Sequence, residues 1–449
     1  MIQYHSDSTT ENKFLDVALD IYYLYDECLA AQHKEDFDGL MQHAISLVKG
    51  GQSAFGKQSS PGKLNQLKHI LIDEYQDFSL LFDSFIEAIK GHCPSVYTFC
   101  VGDDWQAING FAGSKVKYFE SFKTRFNDTG VYDILTNYRS TQEIVSLGTA
   151  LMDPGLRDAI KASRYAKGII KLGYYDDFPV SETESHYGYD IHSAALLRLV
   201  YDSLKREKDT AVLSRIRDGI PESLYRLKRE LSQPKNQRHS FPNWTASADY
   251  TETTLDLFTV HKYKGKEKTV VIITDATSRR FPLIHPNWIF QRIFGDTIEK
   301  IVKDEQRLFY VALTRAVDEL IILSEKGNES PFLLDTLQYN KNNVQKLKWS
   351  DYVSAPIGKL NGRIEVSNEF YKQSWPTINI KSYLRDAGYT YNGEKRNWSL
   401  LMEADQMDPD IILKQKWAQA ADRVVVSFFI NDACIEKYLI SKGLPQSIK

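Results

Sequence analysis

Acidic side chains directly follow a short apolar run near the start of the chain, where they could handle a nucleotide phosphate. Residues 69–79 read HILIDEYQDFS, so Asp73 and Glu74 come at the end of a predicted strand. An aspartate there can bind Mg²⁺ through its carboxylate oxygens, and the neighbouring glutamate can polarise the water that attacks a γ-phosphate. An acidic turn after any strand has the same appearance, so this pair needs support from the rest of the chain.

A second apolar run, YTFCVGDD (97–104), ends in the same way. Gln106 lies just beyond it, where a side-chain amide could sense a γ-phosphate. Trp105 and Phe111 offer flat rings on which nucleic-acid bases could stack. The alternative interpretation is a glycine-rich turn whose aromatic residues belong to a core.

Two later segments carry arginines at positions that could contact a phosphate. LTNYRSTQEI (135–144) offers the Arg139 guanidinium, with the Tyr138 ring beside it for an adenine. DEQRLFYVALTRAVDELIIL (304–323) has an apolar helical face from which Arg315 projects, and an arginine there could reach a transferring phosphate across a domain cleft. A surface arginine and an amphipathic core helix explain these two segments better when each is considered alone.

The segment LFTVHKYKGKEKTVVIITD (257–275) gathers basic side chains just past another predicted strand. Gly265 lets the backbone approach a ligand closely. Such a cluster suits contacts with the phosphates of a nucleic-acid backbone, and a solvated basic hairpin is the alternative. The residues concerned are Thr259, His261, Lys262, Lys264 and Lys266.

The elements that must position these residues alternate between short apolar strands and helical patterns, which predicts an α/β fold. Polar residues then lie at the carboxyl ends of parallel strands, and we expect the first two strands to be buried. Helices are predicted over 12–31, over 36–48 with Asp36 as its N-cap, over 191–207 and over 298–316. Strands are predicted at 69–73, 97–104, 168–175, 210–216, 255–260 and 269–275.

Length and composition bound the remaining possibilities. The 449 residues suggest about three domains at roughly 150 residues each. The balance of 56 basic against 59 acidic residues excludes a protein that holds nucleic acid by bulk charge, although it permits a local basic groove. The four cysteines are too scattered for a zinc motif, and no apolar run is long enough to span a membrane. We therefore expect a cytoplasmic protein without a signal peptide.

Taken in order, five blocks resemble motifs II to VI of the UvrD-like superfamily 1 DNA helicases: LIDEYQD, VGDDWQAI, NYRST, TVHKYKGKE and RLFYVALTRA. The resemblance covers roughly residues 10–335, and the tryptophan of VGDDWQAI and the later SPF (330–332) resemble the DNA helicase IV branch most. It implies two RecA-like P-loop NTPase lobes that bind ATP and Mg²⁺ between them. It also implies movement from 3′ to 5′ along single-stranded or partly duplex DNA.

The resemblance gives a role to each matching side chain. Asp73 would bind Mg²⁺, Glu74 would be the catalytic base and Gln106 would contact the γ-phosphate. Arg139 and Arg315 would be the paired arginines on the γ-phosphate. The other matches are Tyr138 stacking on the adenine, Gly265 and Glu267 of the motif V nucleotide contact, and Phe111, Thr259 and His261 along the DNA strand beside Lys262 and Lys264.

Three parts are expected: a partial first RecA-like lobe at 1–128, a second lobe at 129–335, and a connector with a small α+β domain at 336–449. Within the last, residues 379–403 resemble a small helix-and-hairpin module of nucleic-acid enzymes. Its basic residues could give an auxiliary DNA contact, while packing of a small aromatic core is the alternative. These basic residues are Lys381, Arg385, Lys395 and Arg396.

Two residues of the second block depart from the family pattern. Asn109 stands where the family usually has tyrosine, and Ala112 where it often has arginine. Both changes alter the stacking and the charge that motif III offers to DNA.

The phosphate-cradling Walker A loop has a single weak candidate, GQSAFGKQ (51–58), in which Gln58 replaces the usual Ser or Thr. The segment before it reads as a helix and a proline follows closely, so we expect a surface loop. Three explanations are open: the sequence starts late, it is an ATP-inert relative that binds DNA or a partner, or a separate polypeptide completes the ATP site. The retained side chains of motifs II, IV and VI favour the first.

Overall fold

The computed structural model describes residues 9–56, 62–126, 129–156, 159–186, 189–233, 255–284, 296–355, 361–369, 375–393, 395–430 and 433–448. Within these ranges, no helix is both long enough and apolar enough to cross a membrane. Lys57 and Gln58 of the candidate phosphate loop lie outside the described residues.

Helices longer than one turn alternate with short helical turns along the described chain. Their bounds are α1 (Thr9–Ala31), α2 (Phe37–Lys49), α3 (Leu80–His92), α4 (Lys117–Glu120), α5 (Phe122–Arg125), α6 (Gln142–Met152), α7 (Glu182–His186), α8 (Ile191–Lys205), α9 (Glu222–Leu231), α10 (Ile298–Leu313), α11 (Pro331–Asn340), α12 (Lys381–Asp386), α13 (Pro409–Ile412) and α14 (Lys416–Gln419).

The strands are mostly short, and the longest ones lie in the second half of the chain. Their bounds are β1 (Ala54–Phe55), β2 (Gly62–Lys63), β3 (His69–Ile72), β4 (Tyr97–Cys100), β5 (Thr136–Asn137), β6 (Lys161–Ala162), β7 (Ile169–Tyr174), β8 (Thr210–Ser214), β9 (Leu255–Thr259), β10 (Lys268–Ile273), β11 (Ala316–Ser324), β12 (Val344–Lys346), β13 (Asn361–Asn368), β14 (Thr390–Asn392), β15 (Asn397–Glu403), β16 (Val424–Ile430), β17 (Ala433–Ser441) and β18 (Leu444–Ser447).

The chain folds into two compact units, and each unit is assembled from three separate segments. Because of this arrangement, α6 and α10 each contain residues of both units. Unit 1 comprises Met1–Thr136, Gly148–Ala159 and Phe281–Val311, and unit 2 comprises Asn137–Leu147, Ile160–Arg280 and Ala312–Lys449.

Two parallel strands form the sheet that carries the acidic motif of unit 1. β3 and β4 pair in register from His69 opposite Tyr97 to Ile72 opposite Cys100. The prediction that these strands are buried is wrong, because Leu71 is 74% exposed and Phe99 61% exposed. A parallel strand is buried only when other layers cover both faces of its sheet, and one face of this pair is open in the described residues.

Two helices pack together in the same unit. Asp36 begins α2 as predicted, since its Oδ1 accepts a hydrogen bond from the backbone N–H of Gly39 at 2.7 Å. This bond satisfies one of the free N–H groups of the first helical turn. α2 and α3 then share a small core that includes Ile45, Val48 and Ile89.

A six-stranded, all-parallel sheet forms the centre of unit 2, in the order β12-β7-β11-β10-β8-β9. Every residue of β8 is buried. Leu196 of α8 and Leu227 of α9 pack with Val212 and Ile272 of the sheet in one continuous core. The predicted α/β class with parallel sheets, as in RecA-like lobes, is therefore confirmed.

Two element predictions in the second half of the chain are wrong in part. The sequence predicts one helix over 298–316, whereas α10 ends at Leu313 and β11 begins at Ala316 as a central strand between β7 and β10. No glycine or proline marks this change, so the pairing with distant strands decides it rather than a local signal. Residues 336–375, which the sequence predicts to be a polar and irregular connector, contain β12 and β13, which belong to two different sheets.

The C-terminal part of unit 2 is an antiparallel sheet in the order β14-β15-β13-β16-β17-β18. Short helices cover one of its faces. Leu384 of α12 and Trp417 of α14 pack there against Ile364 and Val426 of the central strands. This α+β arrangement buries apolar residues at alternate positions of the central strands β13 and β16.

Candidate functional site

The acid pair of unit 1 lies at the carboxyl end of β3, where the sequence predicts it. Asp73 Oδ1 accepts a hydrogen bond from the backbone N–H of Glu74 at 2.9 Å, and both residues are exposed. Glu74 has φ 51° and ψ 43°, in the left-handed region that residues with a side chain seldom adopt. Such strained positions cluster at functional sites, because the surrounding structure must hold them in place.

Gln76 is the residue that holds this turn, and the sequence interpretation missed it. Its side chain is almost fully buried, and its Nε2 donates a hydrogen bond to Glu74 Oε2. Its Oε1 accepts a hydrogen bond from the backbone N–H of Asp103 at 2.9 Å. A Cβ on Gly102 would come within 2.6 Å of the same Oε1, so a glycine is needed there. The only signal for this role in the sequence is the position of Gln76 between Glu74 and Asp77, just after a predicted strand.

Gln106 is connected to the same network. Its Nε2 donates a hydrogen bond to Asp103 Oδ2 at 2.7 Å. A continuous chain of hydrogen bonds therefore runs from Glu74 through Gln76 and Asp103 to Gln106. The structure thus brings together the three predicted residues Asp73, Glu74 and Gln106 at one edge of the unit 1 sheet.

The departure at Asn109 has a structural role within unit 1. Asn109 Nδ2 donates a hydrogen bond to Asp77 Oδ2 at 2.7 Å, which links the segment after β4 to the segment after β3. Ser114 Oγ adds a second link by donating to the carbonyl of Asp77 at 2.8 Å. Phe111 lies between these two links on a short helical turn and is strongly exposed, as a ring that stacks on bases should be.

Trp105 is less available to a base than its position in the sequence predicts. Its ring is partly buried and meets the ring of Tyr310 edge to face, with centroids 5.5 Å apart. Beside it, burial raises the pKa of the Asp104 and Asp304 carboxyls above their ordinary values. Arg307 Nη1 donates a hydrogen bond to Asp304 Oδ1 at 3.0 Å and so offsets part of that cost.

In unit 2, two of the predicted nucleotide-contacting residues pair with each other. Arg139 Nε donates to Glu267 Oε2 at 2.5 Å. The backbone N–H of Arg139 also donates to Asn137 Oδ1 at 3.0 Å, which fixes the turn before α6. Tyr138 is 74% exposed beside this pair and presents its ring to solvent.

Arg315, a residue of unit 2, is fully buried, although the sequence predicts that it projects from a helix. It lies in the two-residue connection between α10 and β11. Its Nη2 donates to Thr314 Oγ1 at 3.2 Å and its Nη1 to the carbonyl of Lys266 at 3.5 Å. The arginine is therefore anchored beside Glu267, in the same segment that pairs with Arg139.

The predicted DNA-contacting residues lie just past the carboxyl end of β9. Thr259 ends this strand, and Lys262 is exposed on the short turn that follows. Burial lowers the pKa of His261 to about 4, with a further contribution from Arg215, so this histidine is neutral at pH 7. Gly265 has φ 80°, a conformation that disfavours any other residue there, and Lys264 is half-buried next to it.

A buried carboxylate, which the sequence interpretation also missed, organises the same edge. Asp275 Oδ2 accepts a hydrogen bond from Ser214 Oγ at 3.0 Å, and Oδ1 accepts one from the backbone N–H of Arg215 at 3.2 Å. Arg280 Nε lies 3.9 Å from the same carboxylate. Burial raises the pKa of Asp275 to about 6 despite these partners. Asp275 thereby ties the ends of β8 and β10 together.

The donor chemistry fits Mg²⁺ in part. Mg²⁺ in phosphate-transfer sites takes one or two carboxylates and completes its shell with phosphate oxygens and water, so Asp73 is a suitable ligand. In the described residues, no group of three or more His, Cys, Asp or Glu side chains could hold a metal ion alone. A bound nucleotide would have to supply the remaining oxygen ligands.

The described part of the candidate phosphate loop does not fit a Walker A motif. Gly51 follows helix α2 rather than a strand, and Ala54–Phe55 pairs antiparallel with Gly62–Lys63. A phosphate cradle instead needs a strand before it and a helix N-terminus after it. The predicted surface position of Gly51–Gly56 is confirmed, but Ala54–Phe55 forms a short strand where the sequence predicts a loop.

Comparison with known proteins identifies two sequence families in the chain. Residues 2–127 match the UvrD/REP helicase N-terminal domain, and residues 222–327 match the UvrD-like helicase C-terminal domain. Together these matches cover more than half of the 449 residues.

Individual relatives agree with these matches. The chain is 27% identical to DNA helicase IV of Escherichia coli over 68% of its own length and 39% of the relative's. It is 25% identical to a probable DNA helicase of Mycoplasma pneumoniae, over 67% of the chain and 50% of the relative. It is 29% identical to the ATP-dependent DNA helicase UvrD1 of Mycobacterium leprae, over 35% and 21%. The chain thus spans at most half the length of these relatives. The two family matches show that it belongs to the UvrD-like helicase family.

Proposed function

We propose that this chain carries the ATP-hydrolysing and DNA-contacting side chains of a 3′-to-5′ DNA helicase or translocase that uses ATP and Mg²⁺. The observation that carries the proposal is the chain of hydrogen bonds from Glu74 through Gln76 and Asp103 to Gln106. In this proposal, the chain of hydrogen bonds positions Glu74 as the general base and the Gln106 amide near the γ-phosphate. Asp73 precedes Glu74 at the same strand end and would be the metal ligand.

In this proposal, each side chain has the role that the family resemblance gives to its motif. Asp73 of unit 1 would hold Mg²⁺, which supplies charge neutralisation at the phosphates when bound. Glu74 would accept the proton of the attacking water. Arg139 and Arg315 of unit 2 would contact the γ-phosphate, and Tyr138 would stack on the adenine. The phosphate cradle would come from residues other than Gly51–Gly56, because these residues follow a helix and enter a hairpin.

The experiment is DNA-stimulated ATP hydrolysis by the chain and by its Glu74→Gln variant, with binding of a fluorescent ATP analogue measured in parallel. Removing a general base typically lowers the rate by about 10²–10⁴-fold. We therefore expect hydrolysis to fall at least about 100-fold while Mg²⁺-dependent nucleotide binding persists. Glu87→Gln is the matched control, because Glu87 is an exposed glutamate of α3 in the same unit. Equal hydrolysis by the Glu74→Gln variant and the control would refute the assignment of the base.

The direction of movement has its own test. A partly duplex DNA with a 3′ single-stranded tail should be unwound, and its counterpart with a 5′ tail should not. Preference for the 5′ tail would contradict the proposed polarity without affecting the ATPase assignment.

A second candidate function is an ATP-inert DNA- or protein-binding module. The placement of Gly51–Gly56 between a helix and a hairpin favours it, because that segment cannot cradle phosphates in the usual way. This candidate predicts no nucleotide binding by the wild-type chain. It also predicts unchanged DNA affinity in the Glu74→Gln and Arg315→Ala variants.

A further inference from the structure

Exposed aromatic rings and guanidinium groups meet at one end of the C-terminal antiparallel sheet. The Arg396 guanidinium lies over the ring of Trp375, 5.5 Å from its centroid. The Arg385 guanidinium lies over the ring of Trp398 at 5.8 Å. Trp375 is 43% exposed and Tyr391 47% exposed, whereas Trp398 is buried beneath them. We call Trp375, Arg385, Tyr391 and Arg396 the aromatic–arginine strip.

The register of the sheet makes this strip continuous. Tyr391 lies opposite Trp398 on the neighbouring strand, with ring centroids 5.2 Å apart. Trp398 lies opposite Val366 of β13. Arg396 precedes Trp398 by two residues and Asn368 follows Val366 by two, so both lie at the same end of this antiparallel strand pair. Asn368 Oδ1 accepts a hydrogen bond from the backbone N–H of Thr377 at 2.9 Å, which places the Trp375 segment at the same point. The two ring–guanidinium pairs are therefore neighbours.

An ion pair within unit 2 fixes where the strip lies. Lys395, adjacent to Arg396, has its Nζ 3.3 Å from Glu222 Oε2. Burial alone would raise the pKa of Glu222, but Lys395, Arg229 and Arg363 together hold it below its ordinary value, so the carboxylate stays charged. Glu222 therefore anchors the hairpin that carries the strip.

Glu222 is also the first residue of α9, and α9 follows β8 after a short turn. In a parallel sheet, such a helix starts at the carboxyl edge. This is the edge at which Ser214 ends β8 and Thr259 ends β9. The ion pair therefore brings Lys395, which adjoins Arg396 of the strip, to the first residue of α9 at this edge, and Thr259 ends β9 at the same edge.

The chemistry of the strip suits a single-stranded nucleic acid. Bases stack on aromatic faces without sequence preference, and arginines contribute phosphate contacts and cation–π interactions. A surface cation–π pair alone stabilises a fold only weakly, so stability is a weak reason for two such pairs at one exposed end. Lys381 is exposed one helical turn before Arg385 on α12 and adds a further cation.

We propose that the aromatic–arginine strip is an accessory site for single-stranded nucleic acid, which extends the binding path from the carboxyl edge of the unit 2 parallel sheet. The inference rests on the DNA contact proposed for that edge. A strand long enough to occupy both surfaces gains affinity from the strip, whereas a short strand that fills the edge alone does not.

The test measures affinity for oligothymidylates of about 8 and about 30 nucleotides by fluorescence anisotropy, lengths below and above the reach of a single binding surface. The variant is Trp375→Ala combined with Arg396→Ala. Because stacking of one base is worth about 1–3 kcal/mol, we expect the variant to lose about tenfold affinity for the long strand. Affinity for the short strand should stay unchanged.

The matched control combines Leu444→Ala with Lys437→Ala, an exposed apolar residue and an exposed cation on the two strands at the other edge of the same sheet. This control should bind both lengths as the wild type does. If the strip variant binds the long strand with wild-type affinity, the inference is overturned. A protein partner would then be the alternative ligand of the strip. A strip variant that loses only long-strand binding supports it.

The two proposals fail in different ways. Lys262→Ala tests the carboxyl edge, and an unchanged short-strand affinity in that variant would count against the proposed function alone. Photocrosslinking of wild-type chain to a 5-iodouracil strand tests the strip without any substitution that could affect folding. Crosslinks to the peptides that contain Trp375 or Tyr391 support the inference, and crosslinks confined to other peptides overturn it.

Discussion

The two parallel sheets carry their polar residues in the same place but hold them by different means. In unit 1, strands β3 and β4 have an open face, and the buried amide of Gln76 holds the exposed acid pair. In unit 2, the central strands are buried, and the carboxylate of Asp275 holds the loop ends. The comparison teaches that a strand end can be organised by a buried neutral amide or by a mostly buried carboxylate, and only the carboxylate makes stability depend on pH.

The largest expected effect concerns the burial of the strands themselves. Ile272→Ala in β10 should lower the free energy of unfolding by about 2–5 kcal/mol, because it opens a cavity beneath fully buried neighbours. Leu71→Ala in β3 should change it by less than about 0.5 kcal/mol, since that side chain is mostly exposed. Urea unfolding of both variants measures the difference. Similar losses in the two variants would show that the open face of β3 is covered in solution.

The second effect is a dependence of the free energy of unfolding on pH, which arises from Asp275 in unit 2. The pKa of Asp275 is raised to about 6 in the folded chain from 3.8, so protonation stabilises the fold relative to the unfolded chain. This stabilisation is complete below the unfolded value and is lost as the pH rises through about 6. Relative to Asp275→Asn, the wild type should lose up to about 3 kcal/mol of stability between pH 4 and pH 7. Parallel stability–pH curves for the two proteins would contradict the assigned burial.

The third effect tests the amide of unit 1. Gln76→Ala leaves the backbone N–H of Asp103 without its acceptor and releases Glu74, so stability should fall by about 1–3 kcal/mol. Unlike the Asp275 effect, this loss should not depend on pH between 5 and 8, since an amide does not titrate. Thermal unfolding across that range measures both points. A pH-dependent loss would indicate that a carboxylate, and not the amide, holds the turn.

The smallest effect concerns the ion pair of Arg139 with Glu267, which is partly exposed. A double-mutant cycle with Arg139→Ala and Glu267→Ala should give a coupling energy below about 1 kcal/mol that shrinks as salt is added. A small coupling is consistent with an arginine that can leave its partner for a phosphate. A salt-independent coupling above about 2 kcal/mol would place the pair in a buried environment instead.

The sequence predicts the elements whose signal is local. β7, β8, β9 and β10 appear as apolar runs, and Asp36 caps α2 as its type and position indicate. β11 could not be predicted because its apolar pattern continues that of the helix before it. Its conformation is set by its pairing with β7 and β10, which are distant in the sequence. The exposed state of β3 could not be predicted either, since exposure depends on what lies over the sheet.

The candidate site shows the same division between local and distant information. Asp73, Glu74 and Gln106 could be identified because their types and their positions after strands carry the chemistry. Gln76 and Asp275 could not, because their importance comes from partners 27 and 60 residues away in the chain. The pairing of Arg139 with Glu267, 128 residues apart, is likewise a property of the fold.

Because the two units are interleaved along the chain, the protein cannot be divided into one fragment for each unit. The chain passes from one unit to the other five times, and two of these passages lie inside the helices α6 and α10. No single cut in the polypeptide therefore yields one intact unit free of the other. A fragment that ends at a unit boundary within α6 or α10 cuts a helix and separates its two ends. Studies that separate ATP handling from DNA binding are better made with point substitutions than with truncations.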